Sequence, residues 1–101
     1  NGIVTTMEEI EGYNIVKAIV RKAVSVERIA ARDTKSYFGV LLDDNNRKPI
    51  CRLRFNRSQK YLGVFDADKN ETRIPIESLD EIFNYEKELI TAATSYDDVL
   101  N

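Results

Sequence analysis

Between Arg47 and Tyr61 the chain reads RKPICRLRFNRSQKY, with six cations (Arg47, Lys48, Arg52, Arg54, Arg57 and Lys60) and no acid, in a protein of net charge -2. Removing those six positive charges leaves about -8 on the remaining residues, so a polyanion is attracted here and repelled elsewhere. Guanidinium groups pair bidentately with phosphate, and tyrosines such as Tyr37 and Tyr61 offer rings on which unpaired bases stack. The chemistry on offer is polyanion binding, with DNA as the candidate ligand. Catalysis has fewer supports. The chain contains no histidine, so a general base near neutral pH needs a strongly shifted carboxylate or lysine. Asp33-Thr34-Lys35 matches the acidic-x-Lys signature of Mg-dependent nucleases, in which carboxylates hold the metal and lysine assists the attacking water. No second acid stands on a preceding strand to complete that site, and the stretch reads as a turn in which Asp33 caps local amides. The segment DADKNE, 66 to 71, starts like a calcium loop but lacks the glycine and the terminal bidentate glutamate, and reads as a hairpin turn. No catalytic residue, metal or cofactor is expected.

The elements that must position these residues follow from periodicity. Thr6-Met7-Glu8-Glu9 fits a capping box that starts a helix running to about Lys22, with Gly12, Val16, Ile19, Val20 and Ala23 on its apolar face. After Ser25 the period changes. Segments 26–33, 36–43, 49–55 and 60–66 read as short strands separated by turns such as Asp43-Asp44-Asn45-Asn46, and TRIPI, 72 to 76, adds a fifth strand whose Pro75 belongs at an edge. Short connections imply an antiparallel meander. A second capping box, Ser78-Leu79-Asp80-Glu81, opens a final helix with Leu79, Ile82, Phe83, Leu89 and Ile90 on one stripe, while residues 94–101 are expected to fray. The predicted fold is α+β: an N-terminal helix, an antiparallel four- to five-stranded meander and a C-terminal helix, with both helices on one face of the sheet.

Alternation along the strands assigns the two faces. One phase holds Ile29, Phe38, Val40, Leu42, Cys51, Leu53, Phe55, Leu62, Val64, Ile74 and Ile76, the expected core, in which Cys51 is a buried structural thiol. The other holds Arg28, Arg32, Tyr37, Arg52, Arg54, Tyr61 and Arg73 with the small residues Ala30, Gly39 and Gly63, an open basic face whose glycines permit close approach of a ligand backbone. Two further readings of that face stay open. Its arginines can form cross-strand pairs with Glu27, Asp33 or Glu71, or the face can be covered by another domain.

At 101 residues, 43% hydrophobic and 32% charged, the chain is expected to form one domain, residues 1–101. It has no apolar run near the roughly 18 residues that span a bilayer and no secretory-type leader, so no membrane association and a cytoplasmic location are expected. It begins Asn-Gly, which suggests a piece excised from a longer protein.

RDTKSYFGVLLDDNNRKPICRLRFN, KYLGVFD and RIPIESLDEIF together resemble the C-terminal region of bacterial type I or type IV restriction endonuclease proteins, over roughly Val4 to Leu89. In that family a nuclease-like domain, related to the N-terminal region of type I restriction motor subunits, precedes a small domain of this kind. The resemblance implies a non-catalytic accessory domain whose parent protein is the endonuclease. It carries no catalytic residue onto this chain. Its implied partners are DNA and the nuclease-like domain, with a homodimer as an alternative mode. The shared residues Arg32, Asp33, Lys35, Tyr37, Arg47, Lys48, Arg52, Asn56, Lys60 and Tyr61 become candidate contacts, and Arg28, Arg54 and Arg57 extend the candidate nucleic-acid surface.

Overall fold

The computed structural model describes residues 2–97. Helix α1 spans Met7–Val20 and opens on the expected capping box: the Glu9 amide donates to Thr6 Oγ1 at 3.1 Å, and the Thr6 amide donates to the Glu9 carboxylate at 2.9 Å. Capping satisfies amides that have no partner inside the helix, and it explains why the charged Glu9 is buried. The helix meets the sheet at Gly12, where an added Cβ would stand 3.0 Å from Leu53 Cδ1 and 3.2 Å from Phe55 Cε2. Val16, Ile19 and Val20 continue this buried face. Ala23, expected on it, is exposed, because the helix stops at Val20 with Arg21 as its C-cap and helical spacing no longer applies.

Five strands follow: β1 (Ile29–Asp33), β2 (Phe38–Leu42), β3 (Pro49–Arg54), β4 (Lys60–Phe65) and β5 (Glu71–Ile76). They form one antiparallel sheet in the order β1-β2-β3-β4-β5, a meander with β5 and its Pro75 at an edge. Residues 26–28, expected to begin the first strand, form a 3₁₀ turn instead. The β2–β3 turn places Asp43 and Asp44 at φ of 57° and 51°, and the Asn45 amide donates to the Leu42 carbonyl. That is the twisted turn geometry that Asp tolerates and that suits a hairpin. In the β4–β5 turn the Asp66 carboxylate accepts from the amides of Asp68 and Asn70.

Every side chain assigned to the core phase is buried or, for Ile74, packed against the core. The register slips between Val40 and Leu41, leaving Ile50 as an extra residue on β3, so Ile50 and Cys51 are both buried. A 3₁₀ helix, Leu79–Tyr85, leads into α2 (Glu86–Ser95), and both helices join the same core cluster on one face of the sheet. The Glu81 carboxylate accepts from the amides of Glu77 and Ser78, as expected of a capping box. Phe83, expected on the buried stripe, is 47% exposed. The 3₁₀ geometry turns three residues rather than 3.6 per turn and rotates Phe83 away while Ile82 enters the core. Thr94 to Asp97, expected to fray, are docked: Tyr96 donates its hydroxyl to the Pro49 carbonyl at 2.6 Å, and Asp97 pairs with Arg28. The remainder of that expected tail, 98–101, lies outside the described residues.

Candidate nucleic-acid interface

Cross-strand register builds the face opposite the helices. Arg32, Gly39, Arg52, Gly63 and Arg73 stand side by side across all five strands, with Arg54 and Tyr61 paired in the next row. The glycines do not leave this face open. A Cβ on Gly39 would meet the Tyr37 ring at 3.2 Å, and one on Gly63 would lie 2.0 Å from Glu71 Oε2, so each glycine is the seat of a side chain from this protein. Sequence alternation identifies which side chains share a face but not how long ones lie across it. Leu41 and Phe65 are also buried on this side.

Glu71 organises the centre. Its carboxylate accepts from Arg54 Nε and Nη2, both at 2.8 Å, and from Arg52 Nη1 at 3.1 Å. The Arg54 hydrogen bond, followed by the nearby charges of Arg54 and Arg52, outweighs desolvation and holds the carboxyl below the usual glutamate range. The Tyr37 ring lies under both guanidinium groups, with centroid distances of 4.4 Å to Arg52 and 5.0 Å to Arg54, and Arg52 also covers Phe65 at 5.1 Å. Tyr37 is thus engaged by neighbours where a base-stacking ring was expected.

The other cations separate by strand geometry. A six-residue strand such as β3 is about 20 Å long, so the Arg47-to-Tyr61 segment puts Arg47 and Lys48 at one end of the sheet and Arg57 and Lys60 at the other. At the first end Arg28 is held by Asp43 at 2.8 Å and by Asp97 at 3.0 Å, not by Glu27, and those acids raise its pKa further. Arg32 donates to Asp44 at 2.7 Å and to Asn46 at 2.9 Å rather than to Asp33, and Lys48 reaches Asp43 at 3.2 Å. Arg47 is exposed in the turn, where its carbonyl accepts from Lys69 Nζ. Lys60 turns to the helix side and pairs with Glu8 at 3.2 Å. That departure was readable from its phase, which it shares with Leu62.

At the second end a cleft of about 250 Å³ is lined by Ser36, Arg54, Asn56, Arg57, Gln59, Tyr61 and Arg73, with no acid among them. Arg57 and Arg73 are exposed and form no salt bridge among the described residues. Asn56 clamps the β3–β4 turn to the β1–β2 turn by donating to the Lys35 carbonyl at 3.0 Å, and Gln59 ties the same β3–β4 turn to β5 through the Ile76 carbonyl. Arg73 was legible as a member of this face. Ser36 and Gln59 were not, because turns carry no alternation signal.

The Asp33-Thr34-Lys35 turn is stabilised differently from expectation. Thr34 Oγ1, not Asp33, accepts from the Ser36 and Tyr37 amides, while the Asp33 carboxylate accepts from the Thr5 hydroxyl at 2.5 Å. Among the described residues no group of three or more ligating side chains is placed to hold a metal ion. Cys51 is buried, and desolvation pushes its thiol pKa far up. No helix among the described residues is long and apolar enough to cross a membrane. No protein-family model, curated protein or solved structure matches this chain.

Proposed function

We propose that this chain is a non-catalytic, DNA-binding accessory domain of the restriction-endonuclease type that its sequence resembles, and that it contacts DNA at one end of the sheet face. The observation that carries the reading is the acid-free cleft of Arg54, Arg57, Arg73 and Tyr61, in which Arg57 and Arg73 have no salt-bridge partner among the described residues. Arginines already neutralised by Asp43, Asp44, Asp97 or Glu71 have less to offer a phosphate. The DNA surface is therefore smaller than the full set of basic residues: Arg57, Arg73 and Tyr61, with Asn56 and Lys35 on the adjoining turns and Arg54, held by Glu71, contributing only the donors which that pair leaves free. Phosphate contacts of this kind give affinity that falls steeply with salt. The test is fluorescence anisotropy of labelled duplex and single-stranded DNA at low and moderate salt, with an Arg57→Glu/Arg73→Glu variant alongside. Salt-sensitive binding lost in the variant supports the reading. Absence of binding by wild type at tens of micromolar protein in low salt refutes it.

The second reading, a protein-interaction module docking onto a nuclease-like domain or a second copy, is favoured by a different surface. Ile3, Val4, Met7 and Ile10, on the N-terminal segment and the first turn of α1, are all exposed apolar residues, with Met7 71% exposed. Sedimentation of the chain over a concentration series, compared with a Met7→Lys/Ile10→Lys variant, tests it. Self-association that the variant loses would favour this module.

A further inference from the structure

We infer that the cleft at the β3–β4 turn is a site for the phosphorylated end of a nucleic-acid strand: it takes a terminal phosphate monoester, with the adjoining base against Tyr61. This rests on the DNA-binding reading and narrows it from backbone to strand end.

Three features of the cleft point to a monoester. The first is charge density. Arg57 and Arg73, both without a salt-bridge partner among the described residues, line about 250 Å³ with no lining acid, beside Arg54, whose charge Glu71 offsets. A backbone diester carries a single negative charge, whereas a monoester carries about -1.5 to -2 at pH 7 and presents three strong acceptor oxygens. The second is preorganisation. Glu71 holds Arg54 through Nε and Nη2, the side edge of the guanidinium, which leaves the end edge, formed by Nη1 and the second hydrogen of Nη2, to receive two oxygens in parallel. The Glu71 carboxylate thereby fixes the arginine rather than occupying its whole donor set. The third is extent. Along the sheet the neighbouring cations are paired, Arg52 with Glu71 and Arg32 with Asp44, so apart from Lys35 on the adjoining turn the unpaired cations do not continue as a track along which a duplex backbone would run. Tyr61 is half-buried beside Arg54 and opposite Pro75, a fixed aromatic surface next to the cations, which selects a nucleotide over a bare phosphate.

The test uses the 101-residue chain and one oligonucleotide sequence in three forms, 5′-phosphorylated, 3′-phosphorylated and unphosphorylated, with the fluorophore kept away from the end examined. A phosphoserine peptide and inorganic phosphate serve as competitors. At least tenfold tighter binding of one phosphorylated form is expected, reduced to the unphosphorylated level by Arg57→Gln/Arg73→Gln. Both side chains are exposed, and circular dichroism checks that the variant folds. A Tyr61→Leu variant should weaken the phosphorylated oligonucleotide more than inorganic phosphate. Equal affinity for all three forms, with salt sensitivity retained, overturns the end-specific site while leaving DNA binding standing. Tighter binding of the phosphopeptide overturns the nucleic-acid assignment, and no binding by any ligand overturns both.

Discussion

Gly63→Ala is expected to damage the protein only while Glu71 is present. The new methyl group would lie 2.0 Å from Glu71 Oε2, 2.9 Å from its Cδ and 3.1 Å from its Cγ, so the carboxylate has to leave its seat. It then gives up three charge-assisted hydrogen bonds, two at 2.8 Å from Arg54 and one at 3.1 Å from Arg52. Each such bond contributes about 1.5–3 kcal/mol in isolation, and removing one partner of a fully buried pair costs about 3–5 kcal/mol. The Glu71, Arg54 and Arg52 side chains are 12%, 13% and 29% exposed. The freed groups therefore recover some water, and the three bonds are not additive. A loss of about 2–3 kcal/mol is expected, which for a domain of this size lowers Tm by about 10 °C or more. In a Glu71→Ala background the obstacle is gone. Gly63 does not have a positive φ, so the alanine there restricts mainly the unfolded chain and should stabilise by about 0.4–1 kcal/mol. Urea unfolding of wild type, both single variants and the double variant, followed by circular dichroism, should give a coupling energy of about 3 kcal/mol. An equal cost of Gly63→Ala in both backgrounds, or none in wild type, would refute the account of the face as a carboxylate seated on glycine.

Three further outcomes follow from the same structure. Because Arg54 and then Arg52 hold the Glu71 carboxyl below its usual range, its stabilisation is complete above the ordinary glutamate pKa and is lost as pH falls through the lower folded value. Glu71→Gln should accordingly flatten the acid limb of a stability-against-pH profile measured in urea. Burial pushes the Tyr96 hydroxyl from 10.0 up to about 12, so its contribution is present below the unfolded pKa and disappears as pH rises through the folded one. Tyr96→Phe should cost about 1 kcal/mol at neutral pH and make the alkaline decline shallower. Cys51 is buried with its thiol pKa raised, so reaction with a disulfide reagent should rise with the unfolded population across urea concentrations, up to the unfolding rate at high reagent concentration. Rapid labelling of the native protein would contradict its place in the core.

The sequence made legible the element order, the meander and the strand side chains of the core, except Ile50, which a register slip adds. These depend on local quantities: the capping box at Thr6 and Glu9, the two-residue period from Ile29 to Ile76, and turn-forming aspartates at 43 and 44. It also determined that Arg52, Arg54 and Arg73 leave the sheet on the side away from the helices, since alternation requires no partner to be known. Which of those charges has a partner depends on the assembled fold. Arg28 meets Asp97, Lys60 meets Glu8, and Arg54 meets Glu71 across wide separations in the chain, and pairing at that range is set by register and helix docking rather than by any local pattern. The contiguous basic segment was likewise divided by folding, because a hairpin strand carries the two ends of its own sequence to opposite ends of the sheet. Arg57, at the distal turn, is thereby brought beside Arg73 of a different strand, and their common cleft exists only once β3, β4 and β5 are in register.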